Sequence, residues 1–505
     1  MSQISLPKDF TGVRVHFVGI KGTGMTALVE ILKKRGALIT GSDVAERFYT
    51  DAVLEKLGIR AQAFSEKNIT GDIDYVIYSS AYDPEKNPDL IEARSRGIPC
   101  LLYTEALGAV SAQSYSAAVS GVHGKTSTTG LVGTIFEETD IPVQVLAGSA
   151  IASFGGSCTM TSENYDIKKS RNYFVAETCE YRRHFMSFHP QKIILTSVES
   201  DHQDYYPTYE DIKNAFIDFI CKLPEGGALI YCADDRGAVE AAEAAYKKRD
   251  DIEMIPYGEK AQGDYRLTIG KTENEAQHFS IGFLGEASLY VPGKHEVLDA
   301  CAASALVREI IKSDGKDPDL YRERIVRGLA NFRGGKRRSE VIGKAFAGKN
   351  SVVFIDDYGH HPTAIKTTLK GFREFYGGRK IIVDFMSHTY TRTSSLLEEF
   401  ASAFSDADEV ILHKIYASAR ESAEGMSVTG KTLFEKTKAH HGNVHYFEEV
   451  LDAKDFALSE LAKPLSADFP NGCLFVTMGA GDNWKLGTAL FAACKDTAKK
   501  MRTAL

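Results

Sequence analysis

Short apolar runs alternate with amphipathic segments along most of the chain. This alternation is typical of β–α–β units, in which helices join parallel strands. Met25–Arg35 is predicted to be a helix between two strands of the first set. The predicted strands fall into three sets: Val13–Ile20, Ala37–Ser42 and Tyr75–Ser80; Phe174–Ala176, Lys192–Val198 and Ala228–Cys232; and Ser351–Ile355, Lys380–Phe385, Glu409–Ile415 and Cys473–Met478.

The length of 505 residues exceeds what one hydrophobic core usually holds, so we predict an α/β protein of three domains. The small, polar stretch Ala109–Tyr115 and the basic, glycine-containing run Phe332–Arg338 mark the predicted boundaries. The domains would then cover residues 1–111, 112–332 and 333–505. Within the second of them, Asp264–Val291 is predicted to form antiparallel β structure with turns.

Composition and charge exclude some classes of protein. The formal net charge of −8 argues against a general nucleic-acid binder, which usually carries a basic face. The eight cysteines are scattered without a Cys-x-x-Cys pair, which favours free thiols in a reducing compartment. The N-terminus has no basic region followed by an apolar run, and no stretch has the length of a membrane span. We therefore predict a cytoplasmic protein that binds neither nucleic acid nor membrane.

A first glycine loop, Gly19-Ile20-Lys21-Gly22-Thr23-Gly24-Met25, lies between a predicted strand and a predicted helix. Such a loop lets backbone N–H groups approach a diphosphate at the start of the helix. Asp43 follows the next strand, where dinucleotide-binding folds place an acid that binds ribose. The spacing is Gly-x-x-Gly-x-Gly, however, so the loop alone leaves open a nucleotide diphosphate, NAD or a simple tight turn.

The second glycine loop is more specific. Gly121-Val122-His123-Gly124-Lys125-Thr126-Ser127 ends in the Gly-Lys-Thr of a P-loop, although Val119 stands where the usual first glycine would be. In such a loop, backbone amides surround phosphate oxygens, Lys125 would reach the β- and γ-phosphates, and the Thr126 hydroxyl would bind Mg²⁺. The alternative is a chance occurrence of the short motif.

Acidic residues follow two strands of the second set. Glu177 comes directly after one strand, and the run Glu199–Asp204 comes after the next. Because parallel strands end at the same edge of a sheet, both should lie beside the second glycine loop. We therefore predict that Thr126, Glu177 and His202 bind Mg²⁺, the alternative for each acid or histidine being a solvated loop charge.

The last third of the chain carries two further polar loops after strands. Asp356-Asp357-Tyr358-Gly359-His360-His361-Pro362 contains His360, and His388-Thr389-Tyr390-Thr391-Arg392-Thr393 contains His388 and Arg392. Such groups suit binding a carboxylate or stabilising phosphoryl charge. Arg337 and Arg338, at the second boundary, either reach across a cleft or belong to a solvated basic linker.

Together these motifs resemble the Mur ligase family, whose members build the peptide of the bacterial cell wall with ATP, and within it the alanine-adding branch. The resemblance covers essentially the whole chain. It rests on Gly19–Met25, Ser79-Ser80-Ala81, Gly121–Thr128, Glu177, Glu199–Asp204, Phe332–Arg338, Asp356–Pro362, His388–Thr393 and Met478–Gly481.

The resemblance implies an ATP- and Mg²⁺-dependent amide ligase that joins L-alanine to UDP-N-acetylmuramate through an acyl phosphate, as a monomer or homodimer. It implies that His388 and Arg392 hold the lactyl carboxylate or the transferring phosphate, and that His360 and Lys125 are catalytic. The UDP-sugar site would comprise Gly22, Thr23, Gly24, Met25, Ser42, Asp43, Ser79 and Ser80. The ATP site would comprise Gly121, Val122, His123, Gly124, Lys125, Thr126, Ser127 and Arg337.

Some positions depart from the family pattern. Glu177-Thr178-Cys179-Glu180 stands where the family usually has Glu-Ala-Asp-Glu, so that only the two glutamates carry over. His295-Glu296-Val297-Leu298-Asp299 stands where the family has His-Asn-x-x-Asn near adenine. A carboxylate cannot donate to a ring nitrogen unless it is protonated, so the resemblance does not extend to those two base contacts. Ile217 occupies the place of a carbamylated lysine found in other members, and we predict none here.

Three other functions remain possible at this point. A recycling ligase that attaches a murein tripeptide to the same sugar nucleotide has similar glycine loops. A nicotinamide-dependent oxidoreductase would explain the first loop alone. A binding or motor P-loop ATPase would explain the second loop but would need neither a UDP site nor the polar loops of the last third.

Overall fold

The computed structural model describes residues 6–168, 171–417 and 428–503, and it is built from three α/β domains. The predicted α/β fold class is confirmed. Residues 1–5 and 504–505, which belong to the first and third predicted domains, lie outside the described residues.

The first domain has a parallel four-stranded sheet in the order β2-β1-β3-β4. Met25, Leu28 and Ile31 of helix α1 are buried in a core that the first and central domains share. Its elements are β1 (Arg14–Val18), α1 (Thr23–Lys34), β2 (Leu38–Ser42), α2 (Thr50–Lys56), β3 (Tyr75–Tyr78), α3 (Pro88–Ser95), β4 (Cys100–Leu102) and α4 (Tyr103–Ser111).

The central domain has a seven-stranded sheet in the order β11-β10-β9-β5-β8-β6-β7, in which only the pair β6 and β7 is antiparallel. Strand β5 lies at its centre and is almost entirely buried. The elements up to the end of the sheet are β5 (Tyr115–Ser120), α5 (Lys125–Glu137), β6 (Val143–Ile151), β7 (Ser157–Thr161), β8 (Tyr173–Glu177), β9 (Lys192–Leu195), α6 (Tyr209–Ile220), β10 (Ala228–Cys232), α7 (Arg236–Lys248) and β11 (Glu253–Tyr257).

A small antiparallel sheet and two helices complete the central domain. The sheet has the order β12-β13-β14 and confirms the antiparallel structure predicted for this part of the chain. These elements are β12 (Leu267–Glu273), β13 (Ala276–Ile281), β14 (Gly285–Leu289), α8 (Lys294–Ser313) and α9 (Arg322–Asn331).

The third domain has a six-stranded sheet in the order β15-β16-β20-β17-β18-β19, parallel except for the pair β15 and β16. Its elements are β15 (Glu340–Ala347), β16 (Asn350–Asp357), α10 (Pro362–Phe375), β17 (Lys380–Phe385), α11 (Tyr390–Ser395), α12 (Leu397–Ala401), β18 (Glu409–Leu412), α13 (Gly430–Lys438), β19 (Val444–Tyr446), α14 (Lys454–Ala462), β20 (Cys473–Met478) and α15 (Trp484–Thr503).

Four of the predicted strands end earlier than their apolar runs, namely β1, β3, β9 and β18. Strand β1 stops at Val18 because Gly19 turns the chain with a φ of 84°. Strand β9 stops at Leu195, since the next residues leave the sheet to support the second glycine loop: Ser197 Oγ accepts a hydrogen bond of 2.9 Å from the His123 N–H. In the described part of the chain, no helix has both the length and the apolar character of a membrane span.

Candidate active site

The second glycine loop connects β5 to α5 and has the backbone of a phosphate-binding loop. Gly121 and Gly124 have φ values of 137° and 79°, which side chains other than glycine rarely adopt. A Cβ atom on Gly121 would lie 2.1 Å from the Thr196 hydroxyl, so a larger residue does not fit. Helix α5 begins at Lys125 and directs its free N–H groups into the loop. The loop can therefore bind an anionic phosphate.

Lys125 is half-buried beside this loop and is paired with an acid. Its Nζ lies 3.1 Å from Glu180 Oε2 and donates to the Val122 carbonyl at 3.2 Å. Burial opposes the charged form of Lys125, but Glu180 and Glu177 outweigh this and raise the pKa of the ammonium. Burial alone would raise the pKa of Glu180, yet Lys125 and His202 hold it below its ordinary value. Both groups are therefore ionised at neutral pH.

Thr126 and Glu177 form a pair of hard oxygen ligands next to Lys125. The Thr126 hydroxyl donates to Glu177 Oε2 at 2.8 Å, and the Gly148 N–H donates to the same oxygen at 2.6 Å. A hydroxyl and a carboxylate at the C-terminal edge of a sheet are ligands that Mg²⁺ prefers, so these two residues fit the ion.

The third predicted magnesium ligand, His202, is placed differently. Its Nε2 lies 3.5 Å from Glu180 Oε1, and its φ of 54° is strained for a residue with a side chain. Glu180 thus lies between His202 and Lys125. Sequence reasoning noted this glutamate but gave it no role. The spacing of the two glutamates after β8 was the signal that could have assigned it.

A cavity of about 310 Å³ opens from the second glycine loop toward helix α8 and the third domain. Helix α10 and the loop before it close the opposite side. Among the residues predicted to bind ATP, those that line this cavity are Val122, His123, Gly124, Lys125, Thr126 and Ser127. The loop thus faces a space between two domains.

Arg337 does not line this cavity, whereas its neighbour Arg338 does. The Arg337 Nε lies 2.9 Å from Asp356 Oδ2, and Nη2 donates to the Gly479 carbonyl at 2.6 Å. Its guanidinium therefore ties the start of the third domain to the loops of that domain. A contact between Arg337 and ATP stays a prediction, and of the two boundary arginines it is Arg338 that lies at the cavity.

Glu199 joins the second glycine loop to the third domain. Its Oε2 lies 2.9 Å from His123 Nε2, and its Oε1 accepts a hydrogen bond of 2.7 Å from the Thr363 hydroxyl. His361 Nδ1 lies 3.9 Å from the same carboxylate. Burial would raise the pKa of Glu199, but the hydrogen bonds from His123 and Thr363 lower it. The ionised carboxylate is thus shared by both domains.

A second interdomain contact joins Arg392 to Asp201. Arg392 Nη2 and Nε lie 2.8 and 3.2 Å from Asp201 Oδ1, and both side chains are buried. Burial would raise the pKa of Asp201, but Arg392 holds it well below its ordinary value. Arg392, which was predicted to hold the lactyl carboxylate or the transferring phosphate, is therefore directed at the loop that carries His202.

The structure also brings together the predicted histidines of the third domain. The ring centres of His360 and His388 are 6.4 Å apart, and the ring of Tyr416 lies 5.9 Å from His388. Burial, and then the charge of Arg392, hold the pKa of His360 well below its ordinary value. His360 is therefore neutral at neutral pH and accepts or donates hydrogen bonds without adding charge.

The first glycine loop is closed largely by its own domain. Both oxygens of the buried Asp43 carboxylate accept hydrogen bonds, from the Lys21 N–H at 2.7 Å, the Val44 N–H at 2.8 Å and the Tyr82 hydroxyl at 2.7 Å. Asp43 thus fixes the loop, and its contact with a ribose stays a prediction. The Thr23 hydroxyl accepts a hydrogen bond from Tyr49 at 3.0 Å.

The serines predicted to belong to this site lie at the same edge of the sheet. Ser42 is the buried last residue of β2, while Ser80 is exposed, two residues beyond the end of β3. The Ser79 N–H donates to the Val18 carbonyl at 3.0 Å, which places Ser79 beside the start of the loop. Met25 points into the core of the domain.

A second cavity, of about 120 Å³, lies between the first and central domains. Gly24 of the first glycine loop and Glu177 both line it. Glu177 also lines the larger cavity. The Glu177 carboxylate therefore borders both cavities, of which the smaller reaches the first glycine loop and the larger reaches the second.

The fold and these cavities define an enzyme-like, nucleotide-binding protein of three α/β domains, with a P-loop between two interdomain spaces. Three family models match successive parts of the chain: the Mur ligase family catalytic domain over residues 14–115, the Mur ligase middle domain over 119–307, and the Mur ligase glutamate ligase domain over 337–481. The chain belongs to the Mur ligase family, and the resemblance predicted from its motifs is confirmed.

Named relatives agree with this assignment. The chain is 48% identical to the UDP-N-acetylmuramate–L-alanine ligase of Treponema pallidum, over 98% of this chain and 100% of the relative. The crystal structure of the UDP-N-acetylmuramate–alanine ligase of Thermotoga maritima superposes with a TM-score of 0.73 at 23% identity, covering 96% of this chain and 99% of that one. A murein peptide ligase of Psychrobacter arcticus superposes with a TM-score of 0.62 at 21% identity, covering 95% and 98%. The two crystal structures support the fold.

Proposed function

We propose that this chain is an ATP-dependent amide ligase that joins L-alanine to UDP-N-acetylmuramate, with Mg²⁺, in the synthesis of peptidoglycan precursors. The observation that carries the proposal is the position of Glu177, which borders both interdomain cavities. A triphosphate on the second glycine loop and a carboxylate entering from the first loop meet at this residue. The 48% identity to a UDP-N-acetylmuramate–L-alanine ligase supports the same substrates.

Each domain has its own task in this proposal. Residues 1–111 bind the UDP-sugar, residues 112–332 bind ATP, and residues 333–505 bind the amino acid and close over the nucleotide. The free thiols of the eight cysteines are in keeping with work in the cytoplasm. The protein acts as a monomer or a homodimer.

The reaction follows from the charges around the second loop. A carboxylate oxygen of UDP-N-acetylmuramate attacks the γ-phosphorus of ATP, which gives an acyl phosphate and ADP. Lys125 lies where its charge reduces the repulsion between these two anions. Thr126, Glu177 and His202 would hold Mg²⁺, which adds positive charge at the same place.

In the second step, the amine of L-alanine attacks the acyl carbon, phosphate leaves, and the nitrogen loses a proton. Phosphorylation matters because an unmodified carboxylate has no good leaving group. His388 and Arg392 hold the lactyl carboxylate or the departing phosphate, while the contact of Arg392 with Asp201 keeps the third domain against the central one.

The test is a reconstitution with purified protein, ATP, Mg²⁺ and UDP-N-acetylmuramate, to which single amino acids or the murein tripeptide are added. Phosphate release and the mass of the amide product are measured. We expect release only when all components are present, with L-alanine a better amine than the tripeptide. A preference for the tripeptide would identify the recycling reaction instead, and an absence of amine-dependent phosphate would contradict both.

A further inference from the structure

Two buried carboxyl groups in the wall of the larger cavity each have one oxygen without a hydrogen-bond partner among the described residues. Glu296 and Asp299 lie one turn apart on helix α8. The Ser127 hydroxyl donates to Glu296 Oε1 at 2.9 Å, and the Thr128 hydroxyl donates to Asp299 Oδ1 at 3.0 Å. The second oxygens, Glu296 Oε2 and Asp299 Oδ2, have no such donor.

An unsatisfied buried polar atom is destabilising, so such a pair is stable only if something else compensates. The hydroxyls of Ser127 and Thr128 belong to the first turn of helix α5, where the second glycine loop passes into the helix. They fix the two carboxyls in position next to the phosphate site. Two polar atoms are thus placed to meet a bound molecule in the cavity.

The groups around these carboxyls favour their neutral forms. Burial, reinforced by Asp357 and opposed by the Ser127 hydrogen bond and Arg338, raises the pKa of Glu296 to about 7. Burial and then Glu296 raise the pKa of Asp299 well above its ordinary value. Burial lowers the pKa of His295, the adjacent residue on α8, to about 4, so this ring supplies no positive charge near neutral pH.

The same wall can accept the base. The glycine loop holds the triphosphate at its own side of the cavity, which leaves the uncharged end of the nucleotide to lie in the remaining space, whose wall includes Glu296. A neutral carboxyl offers one donor and one acceptor side by side. Adenine offers the matching pair, an amino donor beside a ring nitrogen that accepts. An ionised carboxylate, with acceptors only, matches the N–H donors of guanine instead.

We propose that Glu296, in its neutral carboxylic acid form, recognises the adenine of ATP by accepting from the amino group and donating to the adjacent ring nitrogen. Asp299 stays neutral beside it and keeps the wall uncharged. The inference rests on the proposed function, because ATP is taken from there. Protonated Glu296 thus offers the same donor and acceptor as a carboxamide at this position, which would need no added proton.

The test measures the Kd of ATP and of GTP between pH 6 and pH 8 for the full-length protein, by calorimetry. The apparent Kd is inversely proportional to the fraction of protein in which Glu296 is protonated. For a pKa near 7 this fraction falls about tenfold between pH 6 and pH 8, so the ATP complex becomes about tenfold weaker. GTP carries the same triphosphate and reports any titration of the phosphates or of the glycine loop. We expect the preference for ATP over GTP to shrink by about tenfold across this range.

Glu296→Gln should bind ATP with the same preference over GTP at both pH values, since an amide keeps its donor and acceptor without a proton. Glu309→Gln is the matched control, because Glu309 is a buried acid of the same helix that contacts Tyr265, outside the cavity, and it should keep the pH dependence of the wild type. Circular dichroism verifies that both variants fold.

An ATP-to-GTP ratio that does not change with pH in the wild type would overturn the inference and leave the ligase function untouched. A ratio that still changes in Glu296→Gln would overturn it as well, because another group would then be responsible. Failure to bind either nucleotide at any pH would instead refute the ATP site, and with it the inference.

Discussion

The two glycine loops have the same local design, a strand followed by glycines and a helix, but their surroundings differ. The first loop is fixed by its own domain: Asp43 accepts hydrogen bonds from Lys21, Val44 and Tyr82, all within the first sheet and its turns. The second loop makes its contacts with residues that are distant in the chain. Its Lys125 meets Glu180, and its His123 meets Glu199, which in turn contacts the third domain.

This difference shows that a glycine loop specifies a phosphate site but not the chemistry done there. The first loop has the form of a binding site, because the hydrogen bonds that fix it come from its own domain and are already formed. The second loop collects charges from elements that are distant in the chain, which is what a reaction between two anions requires. The variants below act on one loop at a time and are ordered by the size of the expected effect.

Lys125→Ala should have the largest effect. Removing the cation next to the transferring phosphate should lower kcat by about 10²–10³, as the loss of one preorganised charge donor does elsewhere. The Kd of UDP-N-acetylmuramate, which depends on the first loop, should change by less than about threefold. The measurements are phosphate release and calorimetry. If UDP-sugar binding disappears together with turnover, the two loops are not separable as described.

The contact between Arg392 and Asp201 comes next. Arg392→Ala and Asp201→Asn should each lower kcat/KM by about 10- to 100-fold, since either change removes the buried pair that holds the third domain to the His202 loop. The double variant should lose far less than the product of the two single losses, with a coupling of about 0.5–3 kcal/mol. Purely additive effects on kcat/KM would show that the pair has no joint role.

Gly24→Ala should weaken UDP-N-acetylmuramate binding by about tenfold and leave the Kd of ATP unchanged. A Cβ at Gly24 would lie 2.9 Å from the ring of Tyr103, in the wall of the smaller cavity, so the loop or the ring has to move. One order of magnitude corresponds to about 1.4 kcal/mol. Gly71→Ala is the matched control, because nothing lies within 4 Å of the added atom and its φ is ordinary. Equal losses in both variants would argue against the first loop as the UDP-sugar site.

Asp43→Asn should have the smallest effect on binding and should act on stability. An amide leaves one donor of the first loop without its acceptor, which costs about 1–3 kcal/mol and lowers the unfolding midpoint of the first domain by several degrees. We expect the Kd of the UDP-sugar to rise by less than about threefold. A much larger loss of affinity without a change in the midpoint would mean that Asp43 contacts the ribose directly.

Much of the fold was accessible from the sequence because its signals are local. The apolar runs predicted three strands with the bounds that the structure has: Ala228–Cys232, Lys380–Phe385 and Cys473–Met478. Strand ends were less accurate: β9 ends three residues before Val198, since Ser197 and its neighbours bind the glycine loop. A pattern of apolar residues cannot report such a contact.

The candidate site was only partly accessible for the same reason. The Gly-Lys-Thr motif and the acids after β8 and β9 are readable, because the ends of parallel strands must share an edge. The partner of Arg392 is not readable, since Asp201 is 191 residues away in the chain. Nor did the motifs assign a role to Glu180, which lies between Lys125 and His202.

By itself, then, the sequence determined three α/β domains, two glycine loops and the membership of a ligase family. Only the tertiary structure decided which charges meet and which groups keep their protons. Glu296 illustrates the reason most clearly. In the sequence, Glu296 is an acid that would be ionised and unable to donate a hydrogen bond to adenine. In the structure, burial together with Asp357 raises its pKa to about 7. Protonation depends on the surroundings of a group in space, and those surroundings come from parts of the chain far from residue 296.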